Sequence, residues 1–306
     1  MAPRLPQSEP RPTSLGERDL MPQRRYRWVG SLFRNKLALL SVMFIALLVV
    51  VVLFGDALSP YPMAQQHLRY PLRGPIWSDA AQEGFLFGTD RLGRDILSRM
   101  IAGARVSLLV GFSSVVVGGI VGTALGLLAG YFRGFVEVVV MRLVDLQLAF
   151  PTMMIGMLVM ALLGTGIVEL VLVIALVQWA FYARIARAET LKIRELEYFV
   201  ATESLGASAF RRVFRHVLPN IMSPLTVVAS FSLSTAIFYE SALSFFGVGI
   251  PPNIPTWGNM LADARDVMLI TPWYPVFPGL AITFSVLAFN LLGDWLRDYT
   301  DVKIAD

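Results

Sequence analysis

The segment YFVATESLGASAFRRVFRHVLPN, residues 198–220, is a charged stretch of helix formers between two long apolar runs. Gly206 can adopt the positive φ that a sharp reversal requires, and Ser208 can cap the helix that comes after it. Pro219 cannot continue that helix, so the chain is expected to break there, before the next apolar run. The segment predicts a short helix, a turn and a second short helix. Charge alone favours an ordinary positive cytoplasmic loop with a helical hairpin.

The composition is that of a membrane protein. Hydrophobic residues make up 56% of the chain, whereas soluble domains contain roughly 45–50%. The net charge of +4 is therefore read as a topology signal rather than as affinity for nucleic acid. The chain has no cysteine, which excludes disulfides, and its two histidines are too far apart in sequence to indicate a metal site.

Six apolar runs are long enough to cross a bilayer as helices, which takes about 20 residues each. They lie at residues 37–54, 107–130, 143–163, 167–183, 221–239 and 274–293. Positive residues before and between them predict that both termini are cytoplasmic. The prediction is an all-α membrane protein with a disordered basic tail at 1–30 and a membrane domain at 31–306. That domain comprises the first span, an outer loop at 56–105 and a five-helix core at 106–295.

The outer loop contains the stretch FGTDRLGRDILSRM, residues 87–100. It predicts a short amphipathic helix at the outer surface, capped by Thr89 or Asp90. The loop carries six arginines, which conflicts with the rule that positive residues stay inside; the other segments obey the rule and set the orientation. The spacing of the carboxylates differs from that of a calcium-binding loop, so no metal site is predicted.

Several patterns in the chain are similar to those of one family. They are the stretch at 87–100 followed by GARVSL at 103–108, MRLVDLQLAFP at 141–151, and LAFNLLGDWLRD at 287–298. The chain resembles the permease subunits of ATP-binding-cassette importers, most closely the second permease subunit of dipeptide/oligopeptide systems. The resemblance covers about residues 30–301. It implies the type I importer permease fold and a location in the bacterial or archaeal plasma membrane.

The same resemblance implies partners and a role for residues 198–220. The partners are a second homologous permease, two ATPase subunits that bind ATP and Mg, and an external solute-binding protein, with no cofactor on this chain. In the family, this loop binds the ATPase. The matching or neighbouring positions here are Glu197, Ala201, Glu203, Gly206, Ala207, Arg211, Leu218 and Pro219. Val200 stands where the family tends to have glutamate, so Glu197 and Glu203 are the alternative acidic contacts.

Three residues are candidates for the translocation path or its gate. Pro151 predicts a kink that forms part of the pore wall or only fits the helix to its neighbours. Glu240 ends the fifth span and either serves the path or is solvated at the outer interface. Trp257 lies in the outer stretch at 245–261, which has three glycines and three prolines and predicts a re-entrant or surface loop. That stretch is one residue longer than in the family.

A stripe of glycines recurs every four residues in the second span, where another helix can approach closely. Its members are Gly118, Gly122, Gly126 and Gly130. The partner helix belongs either to the same chain or to another subunit.

These features favour a non-catalytic, pore-forming subunit of an ATP-driven peptide importer. The sequence has no Walker motif, so ATP is expected to be hydrolysed by other subunits. Relatives of this branch also carry oligosaccharides, nickel chelates, glutathione or opines. A secondary transporter is less favoured because the spans have few charges and show no internal repeat. An intramembrane enzyme is less favoured because the HExxH and GxSxG motifs are absent.

Overall fold

The computed structural model describes residues 27–305, with side chains described except at 27–29, 203 and 301–305. Within this range the chain forms eleven α-helices and one π-helical turn at Val213–Val217. The helices are α1 Arg27–Arg34, α2 Lys36–Leu58, α3 Ile96–Phe132, α4 Gly134–Leu148, α5 Thr152–Leu163, α6 Ile167–Arg194, α7 Glu197–Ser204, α8 Ala209–Arg212, α9 Leu218–Phe245, α10 Trp257–Arg265 and α11 Val276–Ala305. The predicted tail falls outside the described residues except for 27–30, which belong to α1.

The predicted all-α membrane fold is confirmed, with five or six spans. Five helices are long and apolar enough to cross a membrane: α2, α3, α6, the continuous α8–α9 rod, and α11. The predicted third span is a bent pair, α4 and α5, whose axes meet at 93°. Proline lacks an amide hydrogen and disfavours helix in the residue before it, so the break falls at Pro151. Counting the bent pair as one span gives six.

The glycine stripe of α3 packs against α6 of the same chain. A Cβ added at Gly122 would clash with the carbonyl oxygen of Trp179, and one at Gly126 with that of Ala183. Only glycine lets the two helix backbones approach this closely. The stripe therefore holds α3 and α6 together as one unit within the described chain.

The start of α3 differs from the prediction. The helix begins at Ile96, and the side chain of Asp95, rather than Thr89 or Asp90, caps it by accepting a hydrogen bond from the Ser98 amide at 2.8 Å. The Asp90 carboxylate instead accepts hydrogen bonds from arginine side chains. The predicted cap is therefore wrong, because α3 begins six residues after Asp90, whose carboxylate instead accepts hydrogen bonds from the Leu92 and Arg94 amides of the preceding turn.

Four of the six arginines in the predicted outer loop form ion pairs. Arg91 pairs with Asp266, Arg94 and Arg99 pair with Asp90, and Arg105 pairs with Asp56. Arg99 and Asp90 are each 1% exposed and lie 2.6 Å apart. Both arginines of this buried group also contact Asp263 of α10. Burial raises the pKa of the Asp263 carboxyl above its usual value, and the nearby charge of Arg94 lowers it by a smaller amount. Through Asp263, Arg94 and Arg99 hold the predicted outer loop onto α10. The orientation of the termini stays a prediction.

The predicted loop at 245–261 is partly helical. Its last five residues, from Trp257 onward, belong to α10. Thr256 caps this helix by accepting a hydrogen bond from the Asn259 amide at 3.1 Å. The Asn259 side chain in turn donates to three backbone carbonyls of the preceding loop, at Ile250, Pro251 and Ile254. Side-chain caps of this kind fix the proline-rich loop against the start of α10.

Candidate functional site

Residues 197–220, called here the α7–α8 segment, fold as the predicted helix, turn and helix. Gly206 has φ +74°, and the Ala207 amide donates to the Thr202 carbonyl at 3.1 Å, which closes the C-terminal turn of α7. Ser208 caps α8 by accepting a hydrogen bond from the Arg211 amide at 3.4 Å. The left-handed conformation of Gly206 and the cap at Ser208 are thus confirmed.

The predicted chain break at Pro219 is wrong. The α8 helix runs through the π-helical turn into α9, so that Ala209–Phe245 is one 37-residue rod. The Leu218 amide donates to the Val213 carbonyl, five residues earlier, which widens the turn just before the proline. A π-helical turn accommodates the missing amide and the ring of Pro219 without ending the helix. The loop is therefore directly continuous with a membrane-spanning helix.

The α7–α8 segment presents a surface that is both apolar and basic. Leu205 is 86% exposed and Phe210 72% exposed, although both are large hydrophobic residues. The rings of Phe210 and Phe214 contact each other with their centroids 4.3 Å apart and their planes tilted by 33°. Together with three neighbours they line an open groove of about 460 Å³, whose residues are Phe210, Arg211, Phe214, Arg215 and Pro219. An exposed apolar patch beside basic residues is typical of a protein interaction surface.

The other residues predicted for this loop occupy the same region. Glu197, Ala201, Gly206, Arg211 and Pro219 are exposed, whereas Ala207 and Leu218 are half-buried. The side chain of Glu203 lies outside the described part of the structure. Val200, at the position where the sequence resemblance implies a glutamate, is 53% exposed. The choice between the two acidic contacts stays a prediction.

The three path or gate candidates occupy different environments. Pro151 is exposed at the break between α4 and α5. Glu240 is fully buried in α9, where its carboxylate accepts hydrogen bonds from Ser241 at 3.2 Å and Ser244 at 3.1 Å. Trp257 is 1% exposed and donates to the Met100 carbonyl of α3 at 3.1 Å. In this conformation, Glu240 and Trp257 are enclosed by α3, α9 and α10.

Two glutamines tie the spans together and were not singled out from the sequence. Gln147 of α4 donates to the carbonyls of Leu176 and Val177 in α6, at 2.8 and 2.9 Å. Gln178 of α6, which is 3% exposed, donates to the Ser232 carbonyl of α9 at 3.0 Å. A polar amide within an apolar run is the signal that could have identified them, since such side chains bond between membrane helices.

Comparisons with known proteins agree with this architecture. Residues 122–306 match the model of the family described as binding-protein-dependent transport system inner membrane component. Residues 27–75 match the N-terminal TM domain of oligopeptide transport permease C.

Three relatives are similar over nearly the whole chain. The di/tripeptide transport system permease protein DppC of Pseudomonas aeruginosa is 44% identical, covering 90% of both chains. The glutathione transport system permease protein GsiD of Pectobacterium atrosepticum is 38% identical, covering 89% of this chain and 88% of the relative. The dipeptide transport system permease protein DppC of Alkalihalophilus pseudofirmus is 37% identical, covering 89% and 87%. This chain therefore belongs to the family of binding-protein-dependent transport system inner membrane components, as a C-type permease of the dipeptide/oligopeptide branch.

Proposed function

We propose that this chain and a second homologous permease form the path by which an ATP-driven importer carries small peptides across a bacterial or archaeal inner membrane. The relatives at 44% and 37% identity are named for di/tripeptides and dipeptides, which supports this substrate class. Glutathione, the substrate named for another relative, is itself a small peptide derivative and is the alternative.

The observation that carries the proposal is the exposed apolar and basic surface of the α7–α8 segment. The importer has two separate ATPase subunits, which hold ATP and Mg, and one of them binds this surface from the cytoplasmic side. Phe210 and Phe214 supply apolar contact area, and Arg211 and Arg215 supply charge. This chain is then non-catalytic: it converts movement of the ATPases into movement of its spans between inward-open and outward-open states.

The path itself is assigned to the face that carries the α4–α5 break. Pro151 and its neighbour Phe150, which is 62% exposed, are available to contact a solute there. Glu240 and Trp257 reach the path only when α10 separates from α3 and α9, so they are proposed as gate residues. An external binding protein delivers the peptide to the α10 end of the molecule.

The test is uptake by the complete importer in proteoliposomes. This chain, its permease partner and both ATPases are reconstituted, and the binding protein is added outside with radiolabelled dipeptide, tripeptide or glutathione. We expect dipeptide and tripeptide uptake that requires ATP inside the vesicles. Uptake of glutathione alone would assign the alternative substrate. Uptake driven by an ion gradient without ATP would contradict the proposal.

A further inference from the structure

Side chains from four helices meet on two aromatic rings beside the α7–α8 segment. Tyr131 lies in the last turn of α3, and the Arg194 guanidinium of α6 is over its ring at 5.4 Å from the centroid. The Arg212 guanidinium, at the end of α8, is over the same ring at 5.6 Å. Arg212 is also over the ring of Phe199 of α7 at 5.8 Å. All three separations lie within the range of a cation–π interaction, about 6 Å.

The two arginines have different attachments, which makes Tyr131 a junction. Arg194 donates hydrogen bonds to the carbonyls of Gly130 and Tyr131, at 3.4 and 2.6 Å, so it also fastens α6 to the C-terminal end of α3. A cation at this end of a helix is favoured by the helix dipole. Arg212 belongs to the segment with the exposed interaction surface. The ring therefore connects the rigid α3–α6 unit to that segment.

The aromatic rings at this junction are shielded from water. Tyr131 is 8% exposed and Phe199 is 2% exposed, whereas most of the surrounding α7–α8 segment is open to solvent. Cation–π contacts strengthen when they are desolvated. The phenol oxygen of Tyr131 is buried with no hydrogen-bond partner among the described residues, so the ring rather than the hydroxyl makes the connection.

We infer that Tyr131, held by Arg194 and Arg212, is a positioning residue that transmits movement of the ATPase-bound α7–α8 segment to the α3–α6 unit. The inference rests on the proposed function of that segment. Movement of α8 then has two routes into the membrane: along the chain into α9, and across the Arg212–Tyr131 contact into α3. The glycine stripe makes α3 and α6 move together, so the second route acts on two spans at once.

The experiment measures peptide uptake per ATP hydrolysed by the complete reconstituted importer. Tyr131→Leu removes the ring, and Tyr131→Phe is the matched control that keeps it. We expect Tyr131→Leu to assemble and hydrolyse ATP but to lower uptake per ATP by about fivefold or more, the lower end of typical coupling effects. Tyr131→Phe keeps the wild-type ratio. A purely structural role would lower the amount of complex and leave the ratio unchanged.

A second pair of variants keeps the inference testable if Tyr131→Leu fails to assemble. Arg212→Gln removes the cation and should lower uptake per ATP. Arg212→Lys keeps a cation and should retain most of the wild-type uptake per ATP. A wild-type ratio in both Tyr131→Leu and Arg212→Gln overturns the inference and leaves the proposed function standing. Absence of ATP-driven uptake in the wild-type importer instead overturns the proposed function.

Discussion

Replacement of Gly206 by arginine should uncouple ATP hydrolysis from uptake while the importer still assembles. Gly206 has φ +74°, and a residue with a Cβ pays about 1–2 kcal/mol for that conformation. An ideal Cβ at this position has no atom within 4 Å, so an added side chain meets no part of the described chain. The penalty is therefore confined to the turn after α7. The bulk of an arginine projects toward the surface that the ATPase is proposed to contact.

Two controls separate the backbone cost from the bulk. Asparagine adopts the left-handed conformation more readily than other residues, so Gly206→Asn should retain coupled transport. Gly206→Ala carries the conformational cost with minimal bulk, and should lower coupled uptake by no more than about thirtyfold, the equivalent of about 2 kcal/mol.

The assay compares uptake and ATP hydrolysis in proteoliposomes with equal amounts of assembled complex. Gly206→Arg should hydrolyse ATP yet show a lower uptake per ATP than Gly206→Ala. Wild-type uptake and substrate-stimulated hydrolysis in Gly206→Arg would refute the assignment of this turn to coupling. Equal losses in the alanine and arginine variants would show that backbone strain, rather than the interface, is responsible.

The other predictions concern the ion pairs, the glycine stripe and the gate. Asp90→Asn should destabilise the protein by about 1–3 kcal/mol, because the buried Arg99 loses its closest carboxylate and keeps only Asp263 at 3.3 Å. Loss of the exposed Arg91 pair in Arg91→Ala should cost about 0–1 kcal/mol. Both are measured by thermal unfolding in detergent. Gly122→Ala should destabilise the protein by about 1–3 kcal/mol because its Cβ meets the α6 backbone. The control is Gly119→Ala, which should be neutral in the same assay because its nearest contact is a side-chain atom at 3.4 Å. Glu240→Gln should slow uptake by about tenfold, equivalent to about 1.4 kcal/mol on a barrier, with assembly unchanged; unchanged transport would exclude a gate role.

Local rules predicted the α7–α8 turn but not the path of the chain beyond Pro219. The conformation of Gly206 and the cap at Ser208 depend on a few adjacent residues, so the sequence is sufficient to predict them. The continuation past Pro219 runs through a π-helical turn, a rare conformation that residue propensities do not predict. The helix break predicted at Pro219 was therefore wrong, whereas the kink predicted at Pro151 was correct.

The enclosure of Glu240 and the contacts of Tyr131 could not be predicted from the sequence for a similar reason. In the sequence, Glu240 is an isolated carboxylate at the end of a span, and only the approach of α10 shows that it is enclosed. Tyr131 and Arg212 are 81 residues apart, and an aromatic residue at a span end is normally expected to contact the membrane interface. Pairings across this separation are set by the tertiary fold.

The continuity of α8 with α9 gives the coupling segment and the proposed gate a common mechanical element. The rod Ala209–Phe245 begins at the groove that is proposed to bind the ATPase and contains Glu240 near its far end. At 1.5 Å per residue, its 37 residues span about 55 Å, more than the roughly 30 Å thickness of a hydrocarbon core. A tilt imposed at α8 therefore displaces Glu240, and with it the contact to α10, unless the rod bends. Pro224 and the π-helical turn are the two positions where such bending has a structural cause. In the proposed mechanism, the stiffness of these two positions determines how much of the ATPase movement reaches Glu240 through α9 and how much must pass through Tyr131.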